Sequence, residues 1–76
     1  MKAIHLSQAR AILERGAPVS LSIVRKNGSI LRAEDVVSLR FDIYRGTRQI
    51  KYIRSGQIRT IHDVCIIAID DFEVFI

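Results

Sequence analysis

From Pro18 onward the chain is written with a period of two, and short turn signals cut it into strand-length pieces. Val19, Leu21 and Ile23 alternate with Ser20 and Ser22, the pattern of a strand with one buried face. Val37, Leu39, Phe41 and Ile43 alternate with Ser38, Arg40 and Asp42 and predict the clearest half-buried strand. Asn27-Gly28, Ser55-Gly56 and Asp70-Asp71 stand between such pieces as turns. Asn-Gly is the strongest short hairpin signal, because both residues tolerate positive φ. A two-residue turn there sets Arg32 opposite Ile23, and a three-residue loop sets Ala33 there, which suits a core better. The register of that hairpin stays open. Glu34-Asp35 reads as a break between strands.

Ahead of the strands, Ser7 to Arg15 reads as a short helix, with Ser7 as N-cap. Ala9, Ile12 and Leu13 give it a narrow apolar face. Gly16 supplies a left-handed C-terminal cap and Pro18 prevents the helix from resuming. No capping box is expected, since Arg10 stands where Glu or Gln is wanted, and His5 carries no signal. So short a helix is unstable alone and must pack on something. The prediction is one β-rich α+β domain over residues 1–76. A short N-terminal helix is followed by about six antiparallel strands forming a small barrel or roll.

A domain of 76 residues has a marginal core. Its single cysteine, Cys65, rules out an internal disulfide. The histidines and carboxylates assemble no metal set, and no cofactor is implied. Self-association is the expected reinforcement. No apolar run has signal-peptide or membrane-span length, the longest being Val64 to Ile69. A lone thiol and no membrane partner make the cytoplasm the expected compartment.

Charge is unevenly placed. Residues 25–59 hold nine basic and three acidic side chains, whereas residues 60–76 hold four acidic and no basic ones. That asymmetry either steers a polyanion to one side or packs subunits head to tail; the plain alternative is a solvated surface. Arg45, Arg48, Lys51, Arg54 and Arg59 surround Tyr52 in one hairpin-like stretch. With Ser55-Gly56 as a two-residue turn, Arg54 pairs with Gln57, Tyr52 with Arg59 and Ile50 with Ile61. Ile53 and Ile58 then face the core, and Tyr52 lies outward among the cations. A ring so placed stacks on a base of single-stranded nucleic acid while the arginines meet phosphates. Alternatively Tyr52 covers its own sheet under Arg59. Arg45-Gly46-Thr47-Arg48 is either an anion-binding loop or a simple connection, and no P-loop is present.

His62, Asp63 and Cys65 suggest a catalytic or metal cluster, but His62 and Cys65 point to opposite faces of a strand. Asp63 reads as the start of the last hairpin and Cys65 as a small apolar residue. No nucleophile–base pair can be assembled, so an enzyme is not expected. In the last hairpin Ile69 meets Phe72, Ile67 meets Val74 and Cys65 meets Ile76. Ile66 and Phe75 share the other face, with Ala68 against Glu73. Two apolar faces call for cover by the helix or by another subunit. Ile66, Phe75 and Ile76 are therefore the candidate contacts of a homo-oligomer, with Ile76 on an edge strand.

Gly46-Thr47-Arg48-Gln49-Ile50, then Ser55-Gly56-Gln57-Ile58-Arg59, His62 and Glu73-Val74 form a string that resembles short uncharacterised proteins of phages and mobile elements of anaerobic gut bacteria. The likeness covers the C-terminal half and the helix-then-strand opening. Such proteins often have Asn-Gly where this chain has Asp70-Asp71. The resemblance implies an accessory or virion-associated role, with a virion protein as partner, and brings no catalytic residues. Two functions follow: a basic module for nucleic acid or another polyanion, or an assembly subunit built on the apolar C-terminal hairpin.

Overall fold

A computed structural model describes residues 2–76. The elements are β1 (Lys2–His5), α1 (Leu6–Glu14), β2 (Val19–Val24), β3 (Ile30–Asp42), β4 (Thr47–Tyr52), β5 (Ile58–His62), a 3₁₀ turn (Asp63–Cys65), β6 (Ile66–Ile69) and β7 (Phe72–Phe75). The strands form one seven-stranded sheet in the order β1-β7-β6-β2-β3-β4-β5. All pairs are antiparallel except β1 with β7. The β-rich class with one short helix is as the sequence predicts. The additional strand is β1, whose single buried residue, Ile4, gives no alternation to read. No helix among the described residues is long and apolar enough to cross a membrane.

The helix starts one residue earlier than expected, and His5 rather than Ser7 caps it. The Ser7 amide donates to His5 Nδ1 at 3.1 Å, and the His5 amide donates to Gln8 Oε1 at 2.9 Å. The reciprocal cap is thus present with Gln8 in the role that Arg10 could not fill. At the other end Gly16 adopts φ +77°, the left-handed cap its position implies. Leu6, Ala9 and Leu13 bury the inner face of α1, which rests on β1, β3, β7 and the 3₁₀ turn.

The first hairpin takes neither of the two registers weighed from sequence. Ile23 pairs with Leu31 and Leu21 with Ala33. The Gly28 amide donates to the Arg25 carbonyl at 2.9 Å, and the Arg25 amide donates to the Ser29 carbonyl at 2.8 Å. Lys26, Asn27 and Gly28 therefore make a three-residue turn in which only Gly28 has positive φ, +84°. The asparagine works through its side chain, accepting from the Ser29 amide at 3.0 Å.

Three one-residue irregularities then decide which side chains reach the core. Asp35, at φ +52°, is an extra residue opposite β2, so Glu34-Asp35 bends one continuous strand instead of ending it. A second extra residue, Leu39, falls between the pairs Ser38–Ile50 and Arg40–Gln49. The predicted face of Val37, Leu39, Phe41 and Ile43 is thereby broken up: Val36 is the fully buried residue, and Leu39 and Ile43 are exposed. The third is Ile67, between Ser22–Ala68 and Ile23–Ile66. The expected pairs Ile69–Phe72 and Ala68–Glu73 do form. The extra residue lets Ile66 join Ile69 in the core, and Cys65 lies in the 3₁₀ turn instead of pairing with Ile76. Because β1 pairs outside β7, the chain does not end on an edge strand; β1 and β5 are the edges.

Candidate polyanion interface

The basic stretch does not form a single patch. Arg48 pairs across the sheet with Phe41 and Ile61 and points inward, leaving 1% of its surface exposed. Its Nε and Nη2 donate to the two oxygens of Asp63 at 2.9 and 3.0 Å, and Nη1 donates to Glu14 at 2.9 Å and to Ser38 Oγ at 2.6 Å. Arg10 Nε reaches the same Asp63 at 3.1 Å. Phe41 lies under both guanidiniums, 4.9 Å from that of Arg48 and 5.2 Å from that of Arg10. Burial works against the Arg48 charge, but the hydrogen bonds it donates to Asp63 and Glu14, with their negative charges, outweigh it and hold the guanidinium pKa above its usual value. Two cations face two carboxylates, so the cluster is neutral. Among the described residues no buried side-chain polar atom lacks a partner. Arg48 thus ties α1 and the 3₁₀ turn to β3 and β4 and, contrary to the expectation from sequence, presents no charge to a polyanion at the surface. Asp63 is a buried anchor, not the opening of a hairpin.

Tyr52 is also displaced from its expected place. The Tyr52 amide donates to Gln57 and its carbonyl accepts from Gly56, so the connection holds four residues, Ile53 to Gly56, not two. Ile50 then faces Arg59 and Arg48 faces Ile61. The core takes Ile50 and Ile61; Tyr52, on the same face, turns inward and packs against it half-buried. Ile53 and Ile58, expected inside, are exposed. Arg54 stands in the loop beside Asp35 at 3.4 Å. Arg59, on the edge strand, donates to Gln57 Oε1 at 3.1 Å and to the Ile58 carbonyl at 3.3 Å.

Lys51 remains on the outer face of the sheet and Arg45 stands exposed in the turn between β3 and β4, 3.9 Å from Asp42, and the fold adds further residues to that face. Arg40, Gln49 and Thr60 form a cross-strand row, with Asp42 and Thr47 paired beside it. With Arg45 they line a cleft of about 220 Å³. Asp42 organises the turn above: its Oδ1 accepts from the Tyr44 and Arg45 amides at 3.0 and 3.3 Å, and its carbonyl accepts from Gly46 at 2.8 Å. Those amides are satisfied internally, so Arg45-Gly46-Thr47-Arg48 is no nest of free N–H groups. What the turn presents instead is Tyr44, 97% exposed at its tip. The signal for Tyr44 was its place beside Asp42 and Gly46, which make a tight turn and leave the intervening side chain in solvent.

Of the residues expected at a subunit contact, Ile66 is core, while Phe75 and Ile76 are 51% and 79% exposed. The Phe75 ring stands edge-on to His5, with centroids 5.5 Å apart. Among the described residues no group of three metal-ligating side chains converges. Comparison with protein-family models, with curated proteins and with solved structures returns no match to this chain.

Proposed function

We propose that the protein is a non-enzymatic module that binds a polyanion, in the first instance single-stranded nucleic acid, on the outer face of β3, β4 and β5. The observation that carries this reading is the cleft. Two guanidiniums, an amide and two hydroxyls surround a space of about 220 Å³, opposed by one carboxylate. Arginine forks match the oxygens of a phosphate, and the neutral donors fill its remaining acceptor sites. Lys51 extends the same face beyond Gln49, and Tyr44 offers a ring to a neighbouring base. The pairing of β6 back onto β2, with the outer edge of β5 left unpaired among the described residues, supports a partly open barrel as the scaffold.

The test is fluorescence anisotropy of a labelled oligothymidine across a salt series. Binding should weaken by about 0.7 log units per log unit of salt for each phosphate neutralised. Replacing Arg40 and Arg45 together by alanine should lower that slope by roughly two phosphates' worth, about 1.4. Arg54→Ala, beside Asp35, should change it less. No binding at low salt, or binding indifferent to salt, removes the reading.

A second reading, a virion or mobile-element assembly subunit that self-associates, is favoured by the exposure of Phe75 and Ile76 on one end of the sheet. Its address is a virion instead of the cytoplasm alone, and its partner is a second copy or a virion protein.

A further inference from the structure

We propose that the free edge of β5 takes up an extended acidic peptide as an added strand. This is separate from the polyanion face and stands on different atoms. The Tyr52 amide donates to the Gln57 carbonyl, and the Asp63 amide donates to the Gly46 carbonyl. In an antiparallel ladder the bonded pairs alternate, so Arg59 and Ile61 also turn their backbone toward β4. The amides of Ile58, Thr60 and His62 and the Thr60 carbonyl therefore point away from the sheet, and among the described residues no strand lies beyond them. An edge of this kind is a template for pairing.

Alongside that edge runs a groove of about 350 Å³ between β5 and the β2–β3 hairpin. Ile23, Leu31, Ile61 and Cys65 line its floor. Arg25, Lys26 and Arg59 stand exposed at its rim, and among the described residues no carboxylate lines it. Among the described residues, Arg25 and Lys26 make no ion pair. The Arg59 guanidinium lies on the edge itself, against the Ile58 carbonyl.

These features select the occupant. A phosphodiester chain has no amide donor to offer the Thr60 carbonyl, whereas a peptide strand has donors and acceptors at the right pitch; the Ile58 carbonyl is held by Arg59 and the His62 carbonyl opens the 3₁₀ turn. A second copy pairing β5 on β5 would bring Arg59, Arg25 and Lys26 toward their own duplicates, and like charges across a ladder are unfavourable. An acidic segment with alternating apolar residues meets both the rim and the floor.

The experiment uses the whole chain and two labelled nonapeptides, one alternating glutamate with valine, the other lysine with valine. The acidic peptide should bind at least tenfold more tightly than the basic one. At saturation it should slow amide exchange of Ile58, Thr60 and His62 by tenfold or more, leaving the already protected Arg59 and Ile61 amides as they were. Ile58→Pro removes one outward N–H at an edge position that accepts proline; it should weaken binding at least tenfold with an unchanged circular dichroism spectrum. If that variant misfolds, Arg25→Glu with Lys26→Glu, both in an exposed turn, should instead reverse the preference between the two peptides. Arg40→Ala with Arg45→Ala should leave peptide binding intact, which separates this site from the polyanion face. Equal affinity for both peptides overturns the proposal, as does binding without protection of the three amides. So does protection that rises with protein concentration alone, which assigns the edge to a second copy, or the same protection produced by oligothymidine.

Discussion

Arg48 and Asp63 hold each other through two parallel hydrogen bonds, Nε to Oδ1 at 2.9 Å and Nη2 to Oδ2 at 3.0 Å, with both side chains removed from solvent. Removing Arg48 leaves the fully buried Asp63 with Arg10 alone, and removing Asp63 leaves Arg48 with Glu14 alone. Arg48→Met should cost about 3–5 kcal/mol, a large share of the roughly 5–15 kcal/mol a domain possesses. Urea denaturation should show a lower midpoint or an unfolded chain. Replacing both, Arg48→Met with Asp63→Leu, should cost less than the two single changes added together. Because the folded-state pKa of Arg48 is raised, its contribution is complete below the unfolded value and is lost only as pH rises through the folded one. Arg48 should therefore add no slope to stability around neutral pH.

Gly28 has φ +84°, and nothing lies within 4 Å of where a Cβ would stand. A substitution there costs backbone strain and no clash. Gly28→Val should destabilise by about 1–2 kcal/mol, and Gly28→Asn by less, since asparagine visits the left-handed region. Each kcal/mol lowers the melting temperature of a domain this size by roughly 4–8 °C, which differential scanning calorimetry resolves. Equal melting temperatures would contradict this turn geometry.

Tyr44 contributes nothing to the fold by its exposure, so Tyr44→Ala should leave the melting temperature unchanged. If its ring stacks on a base, oligothymidine binding should fall by about 1–3 kcal/mol. That loss should not alter the salt slope, in contrast to the arginine variants. An unchanged affinity removes Tyr44 from the interface.

Phe75 and Ile66, expected together at one interface, should behave oppositely. Ile66→Asp puts a charge into the core and should unfold the chain. Phe75→Asp lies half in solvent and should keep its circular dichroism spectrum. If the exposed end of the sheet is a subunit contact, light scattering should show the second variant as a monomer where the wild type is larger. A wild type that is monomeric at high concentration leaves Phe75 as surface.

Local chemistry was legible in the chain, and faces were not. Gly16 and Gly28 have the positive φ their positions suggest, and Asp70-Asp71 sets Ile69 against Phe72 as read. Each of these depends on a few neighbouring residues. Alternation fails at Asp35, Leu39 and Ile67, because one extra residue in a ladder sends every following side chain to the other face. An inserted residue leaves no mark on composition. The cleft needs two such steps: Arg40 meets Gln49 only once the register passes Leu39, and Gln49 meets Thr60 only because four residues, not two, connect β4 to β5. Arg48 shows a different limit, since its charge says nothing about whether water or Asp63 will meet it. His5 passed unnoticed because histidine is a rare helix cap.

The parallel pairing of β1 with β7 joins two strands that stand far apart along the chain. Lys2 lies beside Phe72 and His5 beside Phe75, so seventy positions separate partners in the same ladder. On a ribosome adding about 5–20 residues each second, β1 waits on the order of several seconds for its neighbour. Until then Ile4 has no strand to lie against, and the helix it leads into lacks part of its seat. The β2-to-β5 meander can close during that interval, since its hairpins join consecutive strands. The meander thus needs no residue of β7 to close, whereas β1 cannot dock before β7 has emerged.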